Sequence, residues 1–183
     1  MNNLSKFSSR YSVRAFTNQP ISKEIILDIL RAAGNCPSYT NTQPWELVVV
    51  TGDTKEQLVE MPQSLVKQKK PPKPDIPLPE DWPPTLYERS MKHTRQRLQA
   101  FALNNEGADK EKLKLLNFSF YNAPCVLFLF MEKALGGWSL FDMGLFTQNI
   151  VLATHVVGLG SCIQASVTMY AKEIKDQLGI GKD

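Results

Sequence analysis

The sequence has few of the residues that build metal centres or disulfide frameworks. Among its 183 residues are three cysteines and two histidines, and no Cys-x-x-Cys pair occurs. A disulfide framework and a structural zinc site are therefore not expected. No cluster of metal-ligating side chains and no pair of carboxylates suited to acid–base catalysis stands out. If the protein is an enzyme, the sequence therefore favours neither metal catalysis nor acid–base catalysis by a carboxylate pair.

The sequence also lacks a strong charge and an uninterrupted apolar run. The net charge is +3, which does not require a nucleic acid or an anionic membrane as partner. Residues 1–16 show no apolar core of a signal peptide. A long apolar stretch at 136–160 is interrupted by polar residues, which argues against a membrane span. We expect a soluble cytoplasmic protein without nucleic-acid or membrane partners.

Two apolar runs predict buried strands, at residues 47–50 and 123–131. They alternate with helical patterns, which indicates an α/β or α+β class. Two strands alone make a poor sheet, so we expect further strands with weak patterns or outside this sequence.

Helices are predicted from apolar periodicity and capping residues. Ser22 begins a helix over 22–34, with Gly34 at its C′ position. Thr54 and Gln57 resemble a capping box for a second helix. Two later helices are predicted at 136–160 and 170–178.

The helix at 136–160 has distinctive features. Ser139 and Asp142 suggest its start, and Gly158 a stop. Because its apolar residues lie almost all round, we expect it to be buried, with a partner subunit covering one side.

Residues 62–116 read as an excursion inserted between core elements. Seven of the fourteen residues from Pro71 to Pro84 are proline, which predicts an extended or looped segment. A charged helical pattern follows it. Two interpretations remain open, a surface linker and a cover over a binding site.

Three polar stretches could carry function. In "SRYSVRAF", Arg10, Ser12 and Arg14 alternate, so on an extended segment they face one side. Converging guanidiniums with a hydroxyl between them suit a phosphate, although two arginines near a terminus more often form a solvated face. In "PSYTNTQPW", amide and hydroxyl groups suit a polar heterocycle, or form an elaborate turn in which Ser38 and Asn41 cap backbone groups.

The third stretch is "GLGSCIQAS", residues 158–166, whose glycines permit close backbone approach. It is not a Rossmann fingerprint. Cys162 is interpreted as a packing residue, since no general base is near in sequence, and His155 as a satisfied core histidine. Polar stretches without catalytic side chains favour chemistry carried by a cofactor.

Taken in order, these stretches resemble the FMN-dependent nitroreductase family, most closely its nitrobenzoate and dinitroaromatic reductase-like subgroup. The family's motifs are R-x-S-x-R-x-F, P-S-x-x-N-x-Q-P-W, W-x-x-x-D-x-G with Q-N and G-L-G, N-F-x-F-x-x-A-P, and C-P-Q-A-S. Here they fall at Arg10, Ser12, Arg14 and Phe16; at Pro37, Ser38, Asn41, Gln43, Pro44 and Trp45; at Trp138, Asp142, Gly144, Gln148, Asn149, Gly158, Leu159 and Gly160; at Asn117, Phe118, Phe120, Ala123 and Pro124; and at Cys162, Gln164, Ala165 and Ser166. Ile163 stands where the last motif usually has proline.

The resemblance implies an α+β fold, an α/β/α sandwich with a central, mainly antiparallel sheet that dimerises through long helices. It implies one domain over residues 1–183 with the insertion at 62–116, which would form part of the substrate channel. The family pattern continues past a segment like residues 178–183 into a tail that wraps the partner subunit. FMN affinity and dimer stability are then expected to depend on such a tail.

The resemblance also implies where FMN binds, at an interface between two copies. Arg10, Ser12 and Arg14 would hold the phosphate, ribityl chain and ring edge of FMN. Residues 37–41 would reach the flavin of the other subunit. The backbone around Gln164 and Ala165 would face the isoalloxazine, with an N–H toward N5. The implied cofactor-binding residues are Arg10, Tyr11, Ser12, Arg14, Pro37, Ser38, Tyr39, Asn41, Gln164, Ala165 and Ser166.

The implied activity is the reduction of nitroaromatic or quinone-like small molecules by NADPH or NADH, in a ping-pong reaction on FMN. No metal and no catalytic side chain is implied, because the flavin carries the chemistry. One alternative is a specialised flavin enzyme on the same scaffold, such as a reductive dehalogenase. Another is a non-catalytic flavin-binding or interaction protein, whose proline-rich, lysine-bearing segment binds a partner.

Overall fold

The computed structural model describes residues 4–103 and 109–181, so residues 104–108 of the predicted excursion lie outside the described part. The helices are α1 (Ser5–Ser9), α2 (Lys23–Gly34), α3 (Gly52–Lys67), α4 (Pro84–Ala102), α5 (Lys110–Phe118), α6 (Gly137–Val156) and α7 (Ala171–Leu178). The strands are β1 (Glu46–Thr51) and β2 (Cys125–Phe130). Short 3₁₀ turns occupy Tyr39–Asn41, Phe120–Asn122 and Val167–Tyr170.

The described residues divide into two compact units. The first contains residues 4–57 and 122–163, and the second contains 58–103, 109–121 and 164–181. The first unit holds the sheet together with α2 and α6. The second holds nearly all of the predicted excursion. Whether residues 1–183 act as one domain stays a prediction.

Both predicted strands form, and they pair antiparallel. Glu46 lies opposite Phe130 and Thr51 opposite Cys125, so six residues pair on each side. Their predicted burial is wrong for most positions: in β1 only Val50 is buried, and all of β2 is partly exposed. The reason is that, in the described chain, the sheet has only these two strands, which leaves both without a second neighbour.

Helix α2 begins as its sequence predicts. The side chain of Ser22 accepts a hydrogen bond from the Ile25 N–H at 3.3 Å, which satisfies one of the unpaired donors of the first turn. Its end differs from the prediction, because Gly34 is the last helical residue and Asn35 is the C-cap, so Gly34 does not occupy the C′ position. The predicted capping box at Thr54 is wrong, since α3 already begins at Gly52.

The core of the first unit lies between α2 and α6. Apolar side chains of both helices interlock there, and the ring of Trp45 stacks on Phe146 with centroids 4.4 Å apart. The buried residues of this core are Ile29, Ala33, Cys36, Phe146 and Ile150. The residues just before and within β1 are thereby fixed against α6.

Helix α6 departs from the prediction at its start, whereas the expected cover of one side by a partner subunit stays a prediction. It begins at Gly137, and the N-cap Gly136 offers no side chain, so Ser139 and Asp142 lie inside the helix and are buried. Trp138 and Phe141 are 67% and 59% exposed, so one apolar face is uncovered within the single chain. The predicted stop is confirmed: Gly158 follows the C-cap with φ +84°, a conformation that favours glycine.

In the second unit, the segment of residues 70–83, here called the proline strap, is neither helix nor strand. It is tied to the end of the chain. The Lys73 N–H donates to the Met169 carbonyl at 2.8 Å, Lys70 pairs with Glu173, and Asp75 pairs with Lys175. Helix α7 ends at the left-handed Gly179, as predicted. No helix among the described residues is long and apolar enough to cross a membrane.

Acid titration tests the contact between the proline strap and α7. The hydrogen bond from Lys70 lowers the pKa of the Glu173 carboxyl below its ordinary value of 4.5. Stability from such a group is complete above the ordinary value and is lost as the pH falls through the lowered pKa. We expect Lys70→Met to reduce the free energy of unfolding near neutral pH by about 0.5–1 kcal/mol, and by less in acid.

The measurement is urea unfolding of wild type and Lys70→Met at neutral and acidic pH. Lys69→Met is the matched control, because among the described residues Lys69 makes no ion pair. A loss that is the same at both pH values would contradict the assignment to the Glu173 carboxylate.

Candidate functional site

Residues 10–14, here called the arginine stretch, follow α1 as extended backbone. Arg10 closes α1 with φ −68° and ψ +131°. Ser12 then forms an isolated parallel bridge with Ser161, in which the Val13 N–H donates to the Ser161 carbonyl at 3.0 Å. Because alternate residues of an extended segment share a side, this backbone is compatible with Arg10, Ser12 and Arg14 facing one side, which stays a prediction.

Gly160 makes this bridge sterically accessible. A Cβ built at Gly160 would lie 2.8 Å from the Cγ2 atom of Val13, a distance that side-chain carbons do not tolerate. Because Gly160 has no side chain, the backbone at this position can approach Val13 closely.

The two guanidinium groups of the stretch are available to an anion. Arg14 Nη1 donates to the Ser12 carbonyl at 3.3 Å, and neither Arg10 nor Arg14 forms an ion pair with a described carboxylate. All three side chains are partly buried. Two unpaired cations flanking a hydroxyl can chelate a phosphate through forked hydrogen bonds.

The loop from Pro37 to Gln43, here called the polar loop, is a strained turn. Thr40, Asn41 and Gln43 have φ of +49°, +59° and +46°, in the left-handed region that non-glycine residues rarely adopt. Ser38 Oγ accepts from the Gln43 N–H at 2.9 Å, so Ser38 caps the backbone as predicted. Asn41 instead accepts from the Gln43 side-chain amide at 3.2 Å.

These internal bonds consume acceptors and leave donors. The oxygens of Ser38 and Asn41 are used as acceptors, whereas the Ser38 O–H and the Asn41 amide N–H groups are not used by any described residue. The polar loop therefore offers hydrogen-bond donors to a ligand.

A buried carboxylate holds the polar loop. Asp142 is 2% exposed, and its Oδ2 accepts the Tyr39 N–H at 3.0 Å. One helical turn earlier on α6, Trp138 stacks on the Tyr39 ring with centroids 5.7 Å apart. The sequence pattern missed this role, since it assigned Asp142 to the helix start. The signal was available: Asp142 is the one carboxylate of a mainly apolar helix, and a carboxylate that such a helix buries needs a hydrogen-bond partner.

The predicted cofactor residues Gln164, Ala165 and Ser166 lie in the second unit, whereas Gly160 lies in the first. The side-chain Nε2 of Gln164 is buried and has no hydrogen-bond partner among the described residues. Ala165 is exposed, and its carbonyl accepts from the Thr168 hydroxyl at 2.7 Å. Ser166 precedes the 3₁₀ turn at Val167–Tyr170. An orphaned buried amide is the kind of group that a ligand satisfies.

Within the described chain, no hydrogen bond or ion pair joins Arg10, Tyr11, Ser12 or Arg14 to the polar loop. What the structure does join is the arginine stretch to Ser161, and the polar loop to α6. The predicted assembly of one cofactor site from all of these residues stays a prediction.

Nucleophilic and metal chemistry find little support among the described side chains. Burial raises the pKa of the Cys36 and Cys125 thiols, which disfavours the reactive thiolate. His155 is half-buried and pairs with the Ser9 hydroxyl at 2.9 Å, so it is satisfied, although it is not a core residue. No group of three or more metal-ligating residues occurs in the described part of the chain.

A separate cavity of about 290 Å³ lies within the second unit. Its walls are mainly apolar and include Phe101, Leu115 and Leu116, with Gln63, Lys112 and Ser119 beside them. None of the predicted cofactor residues lines it.

Comparison with known proteins finds similar sequences among enzymes that reduce nitroaromatic compounds. It is 33% identical to a 4-nitrobenzoate reductase from Pseudomonas putida over 172 residues, covering 93% of this chain and 75% of that protein. It is 31% identical to a nitrobenzene nitroreductase from Ectopseudomonas oleovorans over 180 residues, covering 95% and 78%.

The fold agrees with a solved structure from the same group. The FMN-dependent nitroreductase NfnB from Mycobacterium smegmatis, solved in complex with NADPH, superposes with a TM-score of 0.87 at 30% identity. The superposition covers 97% of this chain and 81% of that one. The nitroreductase family model matches residues 7–183, and the chain therefore belongs to the nitroreductase family.

Proposed function

We propose that this protein is an FMN-dependent oxidoreductase that uses NADPH or NADH to reduce nitroaromatic or quinone-like small molecules. The single observation that carries the proposal is the arginine stretch: two unpaired guanidiniums flank a hydroxyl, on a segment bridged to Ser161. In a nitroreductase-family chain, an anion site of this kind suits the FMN phosphate.

The residues present fit FMN by the chemistry of their donors. A phosphate and the carbonyls of a flavin ring are hydrogen-bond acceptors. Arg10 and Arg14 supply guanidinium donors, Ser38 and Asn41 have unused donors, and the Nε2 of Gln164 is a buried donor without a partner. The donor set complements an acceptor-rich cofactor.

The protein's own part in the reaction is binding and orientation. When bound, FMN supplies the chemistry by accepting a hydride from the nicotinamide and passing two electrons to the substrate. Arg10 and Arg14 would neutralise the phosphate, and Ser12 would add a hydroxyl beside it. The backbone near Gln164 and Ala165 would orient the ring with Tyr11 and Ser166 beside it, whereas Pro37 and Tyr39 would reach the flavin of the other subunit.

The polar loop is proposed to serve the cofactor of a second subunit. The side chains of Tyr39 and Asn41 are exposed, and α6 carries an uncovered apolar face that includes Trp138 and Phe141. Exposed apolar patches of this kind mark protein–protein contacts. A homodimer through α6 would cover this face and bring the polar loop to the partner's flavin.

A cytoplasmic location is proposed on the state of the thiols. The three cysteines are all free, which suits a reducing compartment.

Two other functions are less well supported. A partner-binding role for the lysine-bearing proline strap conflicts with its internal contacts, because Lys70 is engaged by Glu173 and the Lys73 N–H by Met169. Reductive dehalogenation would use the same cofactor, and the choice of electron acceptor separates it from nitro reduction.

A spectrum tests the proposed cofactor and reaction. The purified protein, loaded with FMN, is expected to be yellow, to bleach when NADPH or NADH is added without oxygen, and to regain its colour with a nitroaromatic. A matched halogenated aromatic is the comparison acceptor. A protein that cannot be reconstituted with FMN would refute the proposal, and recovery only with the halogenated compound would favour the dehalogenase.

The phosphate site is tested by Arg14→Ala. Loss of a charged hydrogen-bond donor costs about 1.5–3 kcal/mol, so the FMN dissociation constant is expected to rise roughly ten- to a hundredfold. Arg14→Lys keeps the charge but loses the forked hydrogen bonds of the guanidinium, so its FMN dissociation constant is expected to lie between those of wild type and Arg14→Ala. The readout is quenching of FMN fluorescence.

Arg31→Ala is the control for that series, because Arg31 is an exposed arginine of α2 that pairs with Asp28. Unchanged FMN affinity in Arg14→Ala would remove Arg14 from the phosphate site.

The subunit contact is tested by Phe141→Glu. A charge on the uncovered face of α6 must be desolvated if that face is buried in a dimer. Wild type is expected to sediment as a dimer, and the variant to dissociate at least about tenfold more readily. Ile76→Glu, on the exposed proline strap, is the matched control. Equal dimer stability of Phe141→Glu and wild type would rule out this face as the interface.

A further inference from the structure

The polar loop is held by α6 at two points on one helical face. Trp138 and Asp142 are four residues apart, so they project from the same side of α6. Trp138 stacks on the Tyr39 ring with an interplanar angle of 14°, and Asp142 accepts the N–H of the same residue. One residue of the loop is thus fixed through both its side chain and its backbone.

The loop requires such support because its backbone is unfavourable on its own. Three non-glycine residues in the left-handed region persist only where the surroundings determine the conformation. The bonds from Gln43 to Ser38 and Asn41 are internal to the loop, so they cannot fix it to the rest of the unit. Apart from the Cys36 thiol, which donates to the carbonyl of the first loop residue, Pro37, the bond from Tyr39 to Asp142 is the hydrogen bond that does so within the described chain.

The position of Asp142 is costly for a purely structural residue. Its carboxylate is 2% exposed, and no described cation forms an ion pair with it. Burial of a carboxylate without a cation is unfavourable unless strong hydrogen bonds compensate. A bond from a backbone N–H to a charged oxygen is about twice as strong as a neutral one, which makes it an effective anchor.

We propose that Asp142 is a positioning residue for cofactor binding: it fixes the polar loop so that the free donors of Ser38 and Asn41 face FMN. This inference rests on the proposed function. Asp142 does not touch the cofactor. It acts through the backbone of Tyr39, and it couples the loop to the helix whose uncovered face is assigned to the subunit contact.

The first experiment measures the loop without any cofactor. Hydrogen exchange of the apo-protein is followed for the amides of residues 37–43 in wild type, Asp142→Ala and Asp142→Asn. Loss of the acceptor is expected to speed exchange of the Tyr39 amide about tenfold or more, with α2 unchanged. The amide oxygen of Asp142→Asn is a weaker acceptor, so its exchange rate is expected to lie between the other two.

The second experiment titrates FMN into the same proteins. Asp142→Ala is expected to raise the dissociation constant roughly tenfold or more, and Asp142→Asn to restore it to within about threefold of wild type. Asp28→Ala is the control, since it removes an exposed carboxylate from α2 and is expected to change neither readout.

Three outcomes would overturn the inference. These are equal FMN affinity in Asp142→Ala and wild type, equal affinity in Asp142→Asn and Asp142→Ala, and unchanged exchange at Tyr39. If Asp142→Ala does not fold, Asp142→Leu takes its place, because it fills a similar volume without an acceptor, and unchanged exchange of its Tyr39 amide would refute the anchor. If wild type binds no FMN, the proposed function fails, whereas the exchange data still report on the loop.

Discussion

The buried stripe of α6 is the constraint on which the first unit depends. Asp142, Phe146 and Ile150 follow one another at intervals of four and are all buried, so they form a single face. Phe146 and Ile150 pack with α2 and receive the ring of Trp45, while Asp142 accepts the Tyr39 N–H. A shift of α6 by one residue would turn this face by about 100° and lose the core and the loop together.

Local signals in the sequence predict the elements that are decided locally. Ser22 caps α2 because its hydroxyl lies within reach of an N–H three residues on, and the strand at Glu46–Thr51 follows from its apolar run. Failures occur where a distant partner decides. Ser139 and Asp142 read as a helix start, yet Asp142 lies inside α6, bonded to a residue 103 positions away. Periodicity also predicts an apolar helix without showing which face its own chain covers.

The same distinction separates the predicted from the unpredicted parts of the candidate site. The spacing of Arg10, Ser12 and Arg14 is visible in the sequence, and the extended backbone at Arg10 and Ser12 is compatible with three side chains that face one side. Two features depend on a contact between segments that are far apart in the sequence. They are the bridge from Ser12 to Ser161 and the steric need for Gly160 opposite Val13. The resemblance to a family points to both stretches, and the contact of position 160 with Val13 supplies the physical reason for the glycine.

The polarity of the stretch before β1 follows from how its hydrogen bonds are divided. Gln43 donates from its backbone to Ser38 and from its side chain to Asn41, and Tyr39 donates to Asp142. Each of these bonds uses an acceptor of the protein, so the donors of Ser38 and Asn41 remain. Arg10 and Arg14 can only donate. Donors of this kind suit a ligand rich in acceptors, as the proposed function requires. Residues 38–43 before β1 therefore combine a self-bonded turn with donors that no described residue uses.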